Sequence, residues 1–179
     1  YILNVVLRLD VSAFRYTMLV RPDECPGDYQ HQLLGRGIAL EEVQISPIGP
    51  LRDIQFARYL RSHKHFDAAF IPSNQFPMAL RLPAVYVIHD VIYEQFPEQL
   101  GRFSRLKRFY LRWVVRMGLR KARQVIAVSN YTKGEVVRCF GQQFERKIQV
   151  IYEGWEHLPL SSNLSPLASN LSPFEEYIL

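Results

Sequence analysis

Short apolar stretches punctuated by polar, turn-forming segments recur along this chain, at residues 16–20, 43–45, 68–71, 84–88, 124–128 and 148–151. Each is too short for a helix and leans on β-branched or aromatic residues, so each predicts a strand. Between them apolar side chains return every three or four positions over 51–63, 102–121 and 131–140, the period of an amphipathic helix. The opening, residues 1–14, reads as a further helix feeding the first strand. Strands and helices in alternation predict an α/β chain built on a doubly wound parallel sheet.

Both ends depart from that scheme. A sheet of this kind normally opens on a strand, and residues 1–14 offer none, so the N-terminus reads as cut. At the other end, residues 158–173 are rich in Ser, Asn, Pro and Leu, carry no charge and show no period, and 176–179 read as the start of another strand. The expected organisation is one domain over 1–157 and a linker over 158–179 leading towards a further lobe. A disordered tail is the alternative.

Composition narrows the class. The chain is 48% hydrophobic, yet no apolar run approaches the roughly 20 residues that span a bilayer. The first residues lack a charged start and a small-residue cleavage site, so a secretory signal is not supported. Cys25 and Cys139 lack metal-type spacing and read as free thiols in a reducing, cytoplasmic setting. His31, His63, His65 and His157 form no ligand pattern with carboxylates or cysteines, so no metal site is expected.

The net charge of +5 is mild, but between Arg102 and Arg123 there are nine Lys or Arg and no acid. Arg105, Arg108, Arg112, Arg116, Arg120 and Arg123 recur in steps of three or four and stack along one helical face, with Phe103, Leu106, Tyr110, Trp113, Val114 and Met117 on another. One reading is a solvated face over a packed stripe. A second is a peripheral contact with an anionic membrane surface, made by Arg105, Arg108, Arg112, Arg116 and Arg120. Nucleic acid has little support, since neither a zinc pattern nor a stacking motif on paired strands is present.

The candidate chemistry gathers where the strand at 84–88 runs into His89 and Asp90, because ligands of open parallel sheets bind beyond the carboxyl ends of strands. Asp90, Glu94 and Glu98 lie close in sequence, but a hydrolase pair comes from separate elements flanking the bond, and this spacing does not establish one. Gly-rich phosphate loops of the P-loop or dinucleotide type are absent. Thr132 and Glu135 form the Thr-x-x-Glu pattern of a capping box at the start of the last helix.

Several segments in fixed order carry a resemblance. Phe70-Ile71-Pro72-Ser73-Asn74-Gln75-Phe76-Pro77, Pro83 to Asp90, Tyr93-Glu94-Gln95-Phe96-Pro97-Glu98, Ala122 to Lys133 and Lys147 to Gly154 together resemble the group 1, or family 4, glycosyltransferases across about half the chain. The resemblance implies a GT-B enzyme of two Rossmann-like lobes, of which this is the N-terminal, acceptor-side lobe. It implies transfer of a sugar from a nucleotide-diphosphate carrier to a hydroxyl of a glycan or lipid-linked acceptor, with retention and without a required metal or other cofactor. The Tyr-Glu-Gln-Phe-Pro-Glu run is similar to the mannosyltransferase-like branch that builds surface polysaccharides.

Carried over by position, His89 is the catalytic imidazole that reaches the transferred sugar. Asp90 either accepts a hydrogen bond from His89 or an acceptor hydroxyl, or caps the next turn. Asn74, Tyr93 and Ser129 are expected to line the acceptor groove. Glu153 and Gly154 are expected at the interlobe cleft. The family's opening strand with its glycine-rich loop, and its donor-lobe glutamates, have no counterpart in these residues, so the fragment alone is expected to be inactive. The competing class is a noncatalytic peripheral membrane-binding module, with the basic helix as the function and His89 structural.

Overall fold

A computed structural model describes residues 2–22, 25–46, 49–63, 65–101 and 104–154. The 158–179 linker, and Arg102 and Phe103 of the basic helix, lie outside these residues. The elements run α1 (Ile2–Val6), β1 (Thr17–Val20), α2 (Gly27–Gly35), β2 (Ala39–Glu42), α3 (Pro50–Ser62), β3 (Ala69–Ile71), β4 (Ala84–Ile88), α4 (Ile92–Gln95), α5 (Ser104–Lys121), β5 (Gln124–Ala127), α6 (Asn130–Phe140) and β6 (Ile148–Val150), with 3-10 turns at Pro97–Leu100 and Gln142–Lys147. Every pairing among these strands is parallel, and helices connect most of them. This is the expected Rossmann-like α/β fold.

The strands form two sheets, β1-β2 and β3-β4-β5-β6. In the larger, β4 is central and apolar on both faces, with Tyr86, Val87 and Ile88 all fully buried, as a strand covered on both sides must be. Val114, Val115 and Leu119 of α5 pack into the same core as Tyr86 and Ile88. Gly118 makes the close approach of α5 to the sheet attainable: a Cβ there would lie 2.6 Å from Tyr86 Cε1 and 3.0 Å from Phe76 Cβ. Phe76 meets the Tyr86 ring edge-on, with centroids 5.2 Å apart. The smaller sheet covers a separate cluster of Val6, Cys25, Leu33 and Ile38.

Three expectations need correction here. The opening helix stops at Val6 and passes into turns closed by Arg8 N–H to Val5 O (3.0 Å) and Leu9 N–H to Val6 O (3.2 Å), after which the Asp10 carboxylate accepts from the backbone N–H (2.9 Å) and hydroxyl (2.6 Å) of Ser12 in a further turn. The second strand lies at Ala39–Glu42, upstream of the predicted 43–45; Val43 adds only one further N–H to the ladder, donated to Val20 O at 2.8 Å. Of its two glutamates, Glu41 lies 3.0 Å from His63 Nε2 and Glu42 is exposed. The capping box falls one turn late: Ser129 is the N-cap, and Thr132 is already inside α6. No helix among the described residues is long and apolar enough to cross a membrane.

Candidate functional site

Four neighbouring parallel strands each deliver one group to a single spot just past their carboxyl ends. From β3 comes the carbonyl of Pro72, from β4 the imidazole of His89, from β5 the cap Ser129 with Thr132, and from β6 the carboxylate of Glu153. His89 Nε2 lies 3.0 Å from Pro72 O, and Nδ1 lies 3.0 Å from Glu153 Oε1. A carbonyl and an ionised carboxylate both only accept, so each ring nitrogen bonds its neighbour when it is the one that carries the proton. The side chain of His89 remains 29% exposed, so the ring stands at the surface of the site rather than inside the core.

The backbone beneath it is fixed as firmly as the ring. Asn74 Oδ1 accepts from His89 N–H (3.0 Å), while Asn74 Nδ2 donates to Asp90 O (3.1 Å), so one amide clamps the backbone on either side of the His89–Asp90 peptide. The buried Tyr86 hydroxyl donates to Asn74 O (2.8 Å) and ties that loop to the sheet, and burial raises its pKa far above the phenolic range. On the other side, Ser129 Oγ accepts from Thr132 N–H and donates to Thr132 Oγ1, both at 3.0 Å, and Thr132 Oγ1 donates to His89 O at 3.0 Å. The cap of α6 thereby also sets the height of His89.

Asp90 Oδ1 accepts from Ile92 N–H at 3.2 Å and closes a turn just ahead of α4, whose N-cap is Val91. The segment that follows is pinned twice. Glu94, its side chain only 2% exposed, receives Arg108 Nη2 at 2.9 Å and Arg112 Nη1 at 2.6 Å, both on Oε2. Arg112 Nη2 continues to Cys139 O at 2.7 Å, and its guanidinium lies over the Phe140 ring. Gln95 donates to Tyr131 OH at 2.8 Å and to Glu135, which is paired with Arg138. The Tyr-Glu-Gln run thus fastens the loop after His89 onto α5 and α6.

Those contacts overturn three placements. Tyr93 is buried in the main core and cannot line a groove; burial and the neighbouring Glu94 raise its hydroxyl's pKa. Arg108 and Arg112 turn inward onto Glu94 and are not part of an outward basic face, because the helical period gives no hint that a buried acid approaches from a neighbouring loop. Arg105 and Arg120 are exposed and Arg116 half-buried. Asn74, Ser129 and Glu153 do converge with His89, as supports of the imidazole. Gly154 follows at an exposed position beside them.

Pro72 and Thr132 are the participants that the residue types did not flag. The first acts through its backbone, which no side-chain pattern advertises, and the second was read only as a cap. Exposed Ile92, Phe96 and Tyr131 add an apolar fringe on the loop after His89 and on α6. Among the described residues no group of three or more His, Cys, Asp or Glu is arranged to hold a metal ion. An open cavity of about 500 Å3 lined by Leu60, Arg61, His63, Phe66, Met78 and Lys121 lies elsewhere, and none of the groups around His89 lines it.

The sequence matches the profile of Glycosyltransferase Family 4 over residues 1–156. No curated protein sequence matches it at a significant level. Among solved structures it is similar to HepE from Anabaena. The complex of that protein with UDP and glucose superposes with a TM-score of 0.55 at 21% identity, covering 86% of this chain and 40% of HepE. Its complex with UDP-glucose gives 0.53 at 20% identity over the same 86% and 40%. At such identity the likeness speaks for the fold, and this chain spans about 40% of the length of HepE.

Proposed function

The chain belongs to glycosyltransferase family 4, and on that premise we propose that it is the acceptor-side lobe of a retaining GT-B enzyme. The reading assigns transfer of a hexose, mannose being the first candidate, from a nucleotide-diphosphate sugar to a hydroxyl of a glycan or lipid-linked acceptor in polysaccharide biosynthesis. The donor-binding lobe is supplied by further polypeptide, and this fragment alone does not turn over. The enzyme works at the cytoplasmic face of a membrane.

One observation carries the reading: a partly exposed imidazole at the end of β4, held by groups that follow β3, β5 and β6, stands where ligands of parallel sheets bind. That HepE is seen with UDP, glucose and UDP-glucose supports a nucleotide-sugar donor. In the step itself the bond from the anomeric carbon to the diphosphate oxygen breaks, its electron pair leaving on the diphosphate. The acceptor oxygen forms the new bond on the same face, and its proton passes to the departing phosphate oxygen. His89, its backbone fixed before the reaction, contributes a hydrogen bond to the transferred sugar from Nδ1 once Glu153 gives way to it. The exposed Ile92, Phe96 and Tyr131 offer an apolar flank for a lipid-linked acceptor.

The test is transfer by the intact enzyme from a panel of uridine and guanosine diphosphate sugars. His89→Ala is expected to lower kcat by about 100-fold with the thermal midpoint unchanged. Turnover retained in that variant would overturn the assignment, and absence of transfer from every donor would favour the noncatalytic reading.

A further inference from the structure

The outward side of α5 carries an arrangement that the helical period alone did not reveal. Val114, Val115, Gly118 and Leu119 face the core. At about 100° per residue, Leu106, Phe109 and Trp113 project from the opposite side within about 60° of one another. They are 68%, 71% and 48% exposed, large values for three bulky apolar side chains in a row. Arg120 lies in the same arc, and Arg105 and Arg116 border it on one flank. The helix contains no Asp or Glu at all. Arg108 and Arg112, by contrast, are spent on Glu94 at the edge of the buried face.

We propose that this ridge is a membrane-docking face, with Leu106, Phe109 and Trp113 entering the headgroup–acyl boundary of an anionic bilayer and Arg105, Arg116 and Arg120 meeting lipid phosphates. Two properties select a lipid surface over a protein partner. An apolar ridge with arginines along one flank, on a helix without an acid, matches a surface that is oily within and negative at its rim, and aromatic side chains beside arginines are the composition of helices lying in that interface. Each cation near such a surface strengthens binding by about fivefold, and the inserted side chains add a component that salt does not screen. The inference rests on the reading above only in orienting the enzyme towards a lipid-linked acceptor; adsorption itself needs neither donor nor sugar.

The experiment is sedimentation of the 179-residue chain with phosphatidylcholine vesicles carrying phosphatidylglycerol, against pure phosphatidylcholine vesicles. Binding is expected to the anionic vesicles, lowered on the order of 100-fold by the triple change Arg105→Gln, Arg116→Gln and Arg120→Gln. Leu106→Ser, Phe109→Ser and Trp113→Ser together should lower it at least about tenfold and leave the residual binding wholly salt-sensitive. A charge-matched control, Arg58→Gln, Arg61→Gln and Arg146→Gln, should lose far less; an equal loss would reduce the effect to net charge and overturn the proposal. In a Trp155→Phe background, Trp113 emission should shift to the blue on anionic vesicles and be quenched by brominated lipid. Unshifted emission would overturn insertion. Vesicle binding unchanged in the serine variant, with a lost self-association in the ultracentrifuge, would assign the face to a second copy instead. Since no sugar is present, these outcomes are independent of whether His89 supports transfer.

Discussion

Behind the four-stranded sheet the described residues bury a continuous core running from Ile71 through Tyr86, Val114, Leu119 and Phe140 to Ile148, whereas behind the two-stranded sheet they bury Val6, Cys25, Leu33 and Ile38. The candidate site belongs entirely to the first region: Pro72, Asn74, His89, Thr132 and Glu153 all extend from its strands or the helix packed on them. A catalytic side chain needs neighbours that do not yield, and only the larger core supplies them. The smaller layer follows the same parallel topology with a fraction of the packing, and it should open at lower cost.

Overfilling the larger core is the strongest way to break this contrast. Gly118→Val places carbon inside the space of the Tyr86 ring, which has nowhere to go, and should cost about 3 kcal/mol in urea unfolding while exposing both sheets together. If only β1 and β2 lost structure, the large core would not be what holds the chain. Leu33→Ala should cost about 2.5 kcal/mol, confined to the smaller layer: thiol labelling of Cys25 should accelerate while amide exchange at Tyr86 and Ile88 stays unchanged. Faster exchange in β4 would make the two regions one cooperative unit. The smallest effect is the most local. Ser129→Ala should cost about 1 kcal/mol and shift the His89 ring resonances, because Thr132 loses the partner that aims it at His89 O. Unmoved resonances would show that the cap does not position the imidazole.

Legibility in the sequence follows the same division. The strands β3 to β6 and the helices α3, α5 and α6 announce themselves because burial demanded unbroken apolar runs or a clear helical stripe. The smaller layer is muted: α2 buries only Leu33 and begins and ends on glycine, and β2 spends two of its four positions on glutamate. At the site, His89 and Asn74 could be singled out from the strand end and the loop before it. The pairing around the imidazole could not, since Pro72 acts through its carbonyl and Glu153, though expected at the cleft, reaches His89 from 64 residues away. Arg108 and Arg112 were misplaced for a related reason: charge spacing specifies a face of a helix, but a buried carboxylate from another element decides where each guanidinium turns.

The grip of Glu153 on His89 makes the protein its own competitor. Any ligand oxygen that seeks Nδ1 must displace a carboxylate tethered a few residues beyond β6. Occupancy at the ring and the position of residues 151–153 therefore meet in a single carboxylate.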